Sequence, residues 1–303
     1  RLRPRRRGSL KTRRSCIMRN KTQSGRLARK AYLFLLPSLA GTAVFVLLPY
    51  VDVVRRSFFE AAGGRFVAMQ NYVTVVGNSA FRLASFNTLR FLVICVPLLV
   101  VVSLFCSMLI AGLKEEGTVF KTSLLVPLAI PVASIVLLWK LFFHPQGMVN
   151  QITALFGMAG VDWINGDTAF GVLVFTYVWK NLGYDVVLWV AGLAAISDEL
   201  YEAARVDGAG IVARFLYVTL PGLSKTAFLV VSLSVFNSFK VFREAYLIAG
   251  EYPHESIYML QHLFNHWFVT LDIQKMSAAS VLLLLVVALP VITKGLASRR
   301  GET

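Results

Sequence analysis

Six long apolar segments constrain the fold of this chain more than any other feature of its sequence. They cover about residues 31–51, 87–111, 122–143, 170–194, 222–248 and 276–294, and each is close to the roughly 20 residues that cross a bilayer as a helix. The interior of a bilayer has no water to hydrogen-bond unpaired backbone N–H and C=O groups, so spanning segments of this kind form helices. We therefore predict an all-α membrane protein with six transmembrane helices.

The composition agrees with a membrane protein and argues against a nucleic-acid-binding one. Hydrophobic residues make up 56% of the chain and charged residues 16%, whereas soluble domains average about 45–50% and about 25%. The net charge of +15 comes mostly from residues 1–30, which hold ten Arg and three Lys without an acid. This tail lacks interleaved aromatic residues and directly precedes an apolar segment, so we expect a cytoplasmic flank rather than a nucleic-acid site.

The charges of the loops predict the orientation. The loop over 145–168 carries Asp162 and Asp167 but no Lys or Arg, which is typical of an exterior loop. The loops on either side of it and the C-terminal end are basic, so both termini are expected in the cytoplasm. The loop over 52–86 departs from the pattern with four Arg, which we expect the basic N-terminus to outweigh.

One polar segment lies between the fourth and fifth apolar segments. Ser197 or Asp198 can cap a helix there, and Asp207-Gly208 can end it because Gly adopts positive φ freely. A short amphipathic piece over 211–216 then leads to Pro221, which suits the first turn of the next helix. The pattern predicts a helix–turn–helix outside the apolar layer, where small exposed residues let another protein approach closely.

This segment resembles the EAA loop of ABC importer permeases, and its details are similar to the carbohydrate branch of that family. The departure is Ser197, where these permeases often carry Pro. Shorter matches extend the resemblance over about residues 31 to 295. The matching residues are Glu202-Ala203-Ala204, Asp207-Gly208-Ala209 and Leu220-Pro221, preceded by Leu200-Tyr201, with further matches at Leu35-Leu36-Pro37, Asn87-Thr88 and Gly147-Met148-Val149-Asn150.

The resemblance implies a type I ABC importer permease fold and a subunit of an ATP-driven, binding-protein-dependent carbohydrate importer in the bacterial cytoplasmic membrane. It implies as partners a second homologous permease, two ATPase subunits and an extracytoplasmic sugar-binding protein. The 198–221 loop would hold the coupling helix that contacts the ATPases. The residues assigned to that contact are Glu202, Ala203, Ala204, Asp207, Gly208 and Ala209.

The chain itself is expected to be no enzyme and to hold no cofactor. Gly222-Leu223-Ser224-Lys225-Thr226 lacks the spacing of a phosphate-binding loop, so ATP would be bound by the partner ATPases. No metal site is expected either. His262 and His266 are four residues apart but lack the His-Glu-x-x-His pattern, and we expect them on a surface helix of an external loop.

Polar residues inside the fourth and fifth segments are the candidates for a substrate path. Buried polar groups in a membrane are costly and are often functional. The alternative is that they hydrogen-bond neighbouring helices, and that Lys240 and Glu244 neutralise each other at i,i+4 spacing. The resemblance implies sugar contacts at Gly183, Tyr184, Ser234, Asn237 and Ser238.

The sequence divides into four regions. They are a basic cytoplasmic tail over 1–30, a first transmembrane helix with its exterior loop over 31–86, a core permease domain over 87–295, and a cytoplasmic C-terminus over 296–303. Residues 1–17 precede Met18 and are a candidate extension of the native chain. Two other classes of protein remain open: an ion-coupled secondary transporter, with Asp185 and Glu244 as its candidate acids, and a membrane-embedded enzyme, for which no catalytic constellation is present.

Overall fold

A computed structural model describes residues 34–60, 64–113, 116–250 and 252–300. The tail predicted over 1–30 and the last three residues lie outside the described residues. The described residues are helices, turns and loops, with one isolated antiparallel bridge between Phe59 and Phe66, so the all-α prediction is confirmed. The helices are α1 (Phe34–Arg56), α2 (Gln70–Gly77), α3 (Ser79–Ala111), α4 (Glu116–Ala129), α5 (Val132–Phe142), α6 (Met148–Leu155), α7 (Ala169–Ala194), α8 (Asp198–Val206), α9 (Ile211–Gly222), α10 (Ser224–Ala249), α11 (Leu260–Val269) and α12 (Ile273–Arg300).

The number of apolar spans is lower than predicted. By length and hydropathy α1, α3 and α10 qualify as membrane spans among the described residues, and the pair α4 and α5 raises the number to four if counted as one. The pair is bent by 90° at its break. Pro131 causes this break, because proline supplies no N–H and disfavours helical backbone at Ile130.

The other two predicted spans fall short for different reasons. Helix α7 has 26 residues, which is long enough, but polar residues such as Lys180, Asn181 and Asp185 lower its mean hydropathy. The described apolar part of α12, Ile273–Ala288, is shorter than a span. Among the described residues, three to four apolar spans are therefore found rather than the predicted six.

Contacts divide the described residues into two compact units, one formed by those up to Val75 and from Ile273 onward and the other by those between them. In the first unit, α1 packs against α12, and the Tyr50 hydroxyl donates to the Ser280 carbonyl at 3.5 Å. The Asn71 amide donates to the carbonyls of Ser57 and Phe59, which fixes the turn after α1. The boundaries predicted at residues 31, 87 and 296 stay a prediction.

The second unit is built around α7, which packs against α3, α4 and α10. Its core includes Phe91, Leu173, Tyr177 and Met259, all almost completely buried. Asn87 of α3 donates to the carbonyls of Glu255 and Tyr258 at 2.6 and 3.0 Å. The loop before α11 is thereby fixed to this core.

Helix α11 forms as predicted, but one of its histidines is not on its surface. His262 is 2% exposed, its Nδ1 accepts from the Met259 N–H at 3.2 Å, and its ring lies 4.8 Å from that of Phe242. Its Nε2 has no hydrogen-bond partner among the described residues. Burial lowers the pKa of His262 to about 4, because a charged imidazole would lose its hydration.

Candidate functional site

The polar segment between α7 and α10 folds into a hairpin over residues 197–222. Helix α8 begins after Ser197, whose hydroxyl accepts from the Glu199 N–H at 3.3 Å, so the predicted cap is confirmed. Asp198 and Glu199 stand in its first turn, where negative charge complements the helix dipole. The turn at Gly208 has φ of +78°, a conformation that glycine adopts without strain.

Helix α9 differs from the prediction at its end. It includes a π-helical turn over Phe215–Thr219, and Pro221 stands in the first turn of the short α-helical piece Leu220–Gly222 that follows it. In a π-turn each hydrogen bond joins residues i and i+5 instead of i and i+4. The regular α-helical hydrogen bonding is therefore already interrupted before the proline. Helix α10 begins instead at Ser224, after a turn at Leu223.

The predicted coupling residues lie on the outer part of the hairpin. Glu202, Ala203, Asp207 and Gly208 are exposed, and Ala204 and Ala209 are half-buried. Apolar side chains around them are also exposed, to 88% at Val206, 78% at Ile211 and 80% at Tyr217. Several large apolar side chains exposed on one short segment are typical of a protein contact site. The role of these residues at an ATPase stays a prediction.

The base of the hairpin is firmly attached to both neighbouring helices. The hydroxyls of Tyr201 and Thr219 lie 3.0 Å apart and join α8 to α9. Ile196 and Leu223 pack with Trp189 of α7 in one buried cluster. These contacts connect the hairpin to the ends of α7 and α10.

A cavity of about 330 Å³ lies between α4, α7 and α10. Tyr184 and Asn237 line it, so the fold brings together two of the five residues predicted for a substrate path. Tyr177, Asn181 and Tyr184 face it at i, i+4 and i+7 along α7. That spacing is a signal by which the sequence could have identified Tyr177 and Asn181. The full lining is Leu128, Tyr177, Lys180, Asn181, Tyr184, Asn237, Lys240, Arg243 and Glu244.

The other three predicted path residues support helix packing. Gly183 is buried against α4, where a Cβ would collide with the carbonyl of Leu124. The Ser234 hydroxyl donates to the Asp185 carboxylate at 2.7 Å, and the Ser238 hydroxyl donates to the Val235 carbonyl at 2.6 Å. Contact between any of the five and a sugar stays a prediction.

The charged residues of the cavity are arranged differently from the prediction. Glu244 pairs with Lys180 of α7 at 2.8 Å, with the side chains only 9% and 12% exposed. Lys240 instead donates to Asn237 Oδ1 at 2.8 Å. Lys240 itself lies in a 3-10 turn over Phe239–Val241, and the tighter winding of this turn changes the i,i+4 alignment of a regular helix.

Comparison with known proteins places this arrangement among transport proteins. No family model matches the chain. The chain is 31% identical over 273 residues to the sn-glycerol-3-phosphate transport system permease protein UgpA of Yersinia enterocolitica, covering 86% of this chain and 91% of that protein. It is 30% identical over 264 residues to the trehalose/maltose transport system permease protein MalF of Thermococcus litoralis, covering 85% and 89%.

A solved structure shares the fold. It is a chain of a bacterial alginate ABC transporter in complex with an alginate pentasaccharide-bound periplasmic protein. Its TM-score is 0.74 at 18% identity, and the match covers 89% of this chain and 94% of that one.

Proposed function

The chain belongs to the family of sugar ABC transporter permeases, and on that premise we propose that it forms, with a second homologous permease, the translocation path of an ATP-driven carbohydrate importer. Two cytoplasmic ATPases supply the energy, and a binding protein outside the membrane delivers the sugar. Relatives named for trehalose and maltose transport support a carbohydrate as substrate. The alginate transporter solved with its periplasmic protein supports the binding-protein partner.

The observation that carries the proposal is the hairpin over 197–222. It exposes an apolar surface with Glu202 on it, and it joins α7 directly to α10, the two helices that contribute most of the cavity lining. A rigid element in that position can convert closure of an ATPase pair into a movement of the two helices. ATP would be hydrolysed by the partners, and this chain would itself be no enzyme and need no cofactor.

In the membrane, the cavity would serve as part of the sugar path. Tyr184 offers a ring on which a sugar face can stack, and Asn237 offers an amide to bond hydroxyls. Both termini would lie in the cytoplasm of a bacterial cell.

An ion-coupled secondary transporter is less well supported by the arrangement of its two candidate acids. Asp185 accepts from Ser234, and Glu244 is paired with Lys180. A coupling ion would have to displace a hydrogen bond or a buried ion pair at either acid, which is costly. We therefore keep the ATP-driven importer as the proposal.

Reversal of one charge on the hairpin tests the proposal. Glu202→Lys places a cation where a basic group of the ATPase would pair, so we expect loss of ATPase co-purification and of hydrolysis stimulated by binding protein and sugar. Glu255→Lys is the matched control, since it makes the same change at an exposed glutamate beyond the other end of α10. Wild-type assembly and stimulation of the Glu202→Lys complex would refute the contact, and absence of ATP-dependent sugar uptake by the wild-type complex would refute the function.

A further inference from the structure

The cavity between α4, α7 and α10 carries an excess of positive charge. Its lining contains three cations, Lys180, Lys240 and Arg243, against one carboxylate, Glu244. Glu244 is committed to Lys180 at 2.8 Å, and Lys240 bonds only the neutral amide of Asn237. Arg243 has no hydrogen-bond or ion-pair partner among the described residues.

The three cations differ in their surroundings, because Lys180 is half-buried whereas Lys240 and Arg243 are exposed. Lys180 is the twelfth of the 26 residues of α7, so it lies about 16 Å along the helix, near the middle of a layer about 30 Å thick. Charges at such depth are costly and are normally paired or placed against a water-filled path. Lys180 is paired in this way, while Lys240 and Arg243 of α10 stand exposed at the cavity without an ion-pair partner among the described residues.

We infer that the cavity takes a sugar or polyol carrying an anionic group, a carboxylate or a phosphate, which Arg243 and Lys240 bind. The inference rests on the proposed function and adds the charge of the substrate to it. Guanidinium groups bind carboxylate and phosphate oxygens through two parallel N–H bonds, and such charge-assisted bonds are about twice as strong as neutral ones. Arg243 lines the cavity and is free to form them.

The rest of the lining suits the carbohydrate part of such a substrate. Tyr184 supplies an aromatic ring, and Asn181 and Asn237 supply amides that can donate to and accept from hydroxyls. The volume of about 330 Å³ is at the lower end of the range for small-ligand pockets, which fits one or two sugar units. The Lys180–Glu244 pair closes one side and holds α7 against α10.

Uptake by the complete importer tests the inference. The wild-type complex, with its partner permease, ATPases and binding protein in vesicles, is given three labelled probes: a neutral disaccharide, the corresponding uronic-acid disaccharide and a sugar phosphate. We expect ATP-dependent uptake of at least one anionic probe. Comparison of the uptake of the uronic-acid disaccharide with that of the sugar phosphate then shows whether the anionic group is a carboxylate or a phosphate. Arg243→Gln should lower that uptake roughly 10- to 100-fold at saturating binding protein. Lys140→Gln is the control, because it removes an exposed cation of α5 outside the cavity lining.

Each outcome decides the inference. Selective loss of anionic uptake in Arg243→Gln, with assembly intact and Lys140→Gln unchanged, supports it. Uptake of the neutral disaccharide alone overturns it while leaving the proposed function standing. An equal loss for all transported probes, together with weaker assembly, would show that Arg243 pairs with an acid of the partner permease and would also overturn it. Absence of ATP-dependent uptake of all three would instead count against the proposed function.

Discussion

The close approach of α7 to α4 at Gly183 gives a sharp prediction about stability. A Cβ at Gly183 would meet the carbonyl group of Leu124 and, at 2.9 Å, the backbone nitrogen of Leu125. These are backbone atoms, so no side-chain rotation relieves the collision. Gly183→Ala therefore requires the two helices to separate. Gly171→Ala is the control in the same helix, because its Cβ would have no atom within 4 Å.

The size of the effect follows from two opposing terms. Alanine is better than glycine inside a helix by about 1 kcal/mol, which favours both variants. Inserting a methyl group into a packed contact costs about 1–3 kcal/mol, and an immovable backbone neighbour places Gly183 at the upper end. We expect Gly183→Ala to lose about 2 kcal/mol of unfolding free energy, and Gly171→Ala to lose nothing or to gain up to about 1 kcal/mol.

Thermal unfolding of the purified protein in detergent measures the difference. A loss of about 2 kcal/mol corresponds to a fall in Tm of roughly 4 °C for a chain of this size. The order of the two variants matters more than the absolute shift, since both make the same chemical change. If Gly183→Ala were as stable as Gly171→Ala, the contact between α7 and α4 would not depend on the absence of a side chain, and the reasoning would fail.

Two further predictions concern the hairpin and α11. Gly208→Val should cost about 1–2 kcal/mol through its positive φ alone and impair uptake without lowering membrane insertion, while Gly208→Asn should be tolerated; normal uptake by Gly208→Val would contradict this. The pKa of His262 is about 4 in the folded protein and 6.5 in the unfolded chain. The free energy of unfolding therefore keeps its full value above pH 6.5 and decreases as the pH falls toward 4, because the unfolded chain gains a proton that the folded protein does not. Thermal unfolding from pH 7.5 to pH 5 should show a loss of about 2 kcal/mol that is absent in His262→Phe, and equal pH dependence in both proteins would argue against it.

The hairpin is predictable from sequence because its signals are local. A Ser before two acids caps α8, and a Gly after Asp207 makes the left-handed turn, and neither depends on distant residues. The membrane character of the chain and its all-α class follow equally directly from its apolar segments. The π-turn before Pro221 cannot be predicted in this way, since it depends on how α9 packs.

The cavity is only partly predictable because its residues meet through tertiary contacts. Polarity alone selects Tyr184 and Asn237, which line the cavity. It equally selects Ser234 and Ser238, which are buried and whose hydroxyls donate hydrogen bonds to other groups of the protein. The alternative pairing of Lys240 with Glu244, suggested by their i,i+4 spacing, does not form, because Lys240 lies in a 3-10 turn and Glu244 pairs with Lys180. Lys180 and Glu244 are 64 residues apart in the chain, and a pair at that separation produces no periodic pattern in the sequence.

The Lys180–Glu244 pair also constrains the order of events during biosynthesis. The ribosome adds Lys180 to the chain 64 residues before Glu244, and at about 5–20 residues per second the interval is roughly 3–13 s. Asp185 likewise precedes its partner Ser234 by 49 residues. A lone Lys or Asp near the centre of a helix adds about 2.5–3.5 kcal/mol to the free energy of membrane insertion. These two residues therefore make insertion of α7 by itself less favourable, and we expect their partners on α10 to offset that cost once α10 has been synthesised.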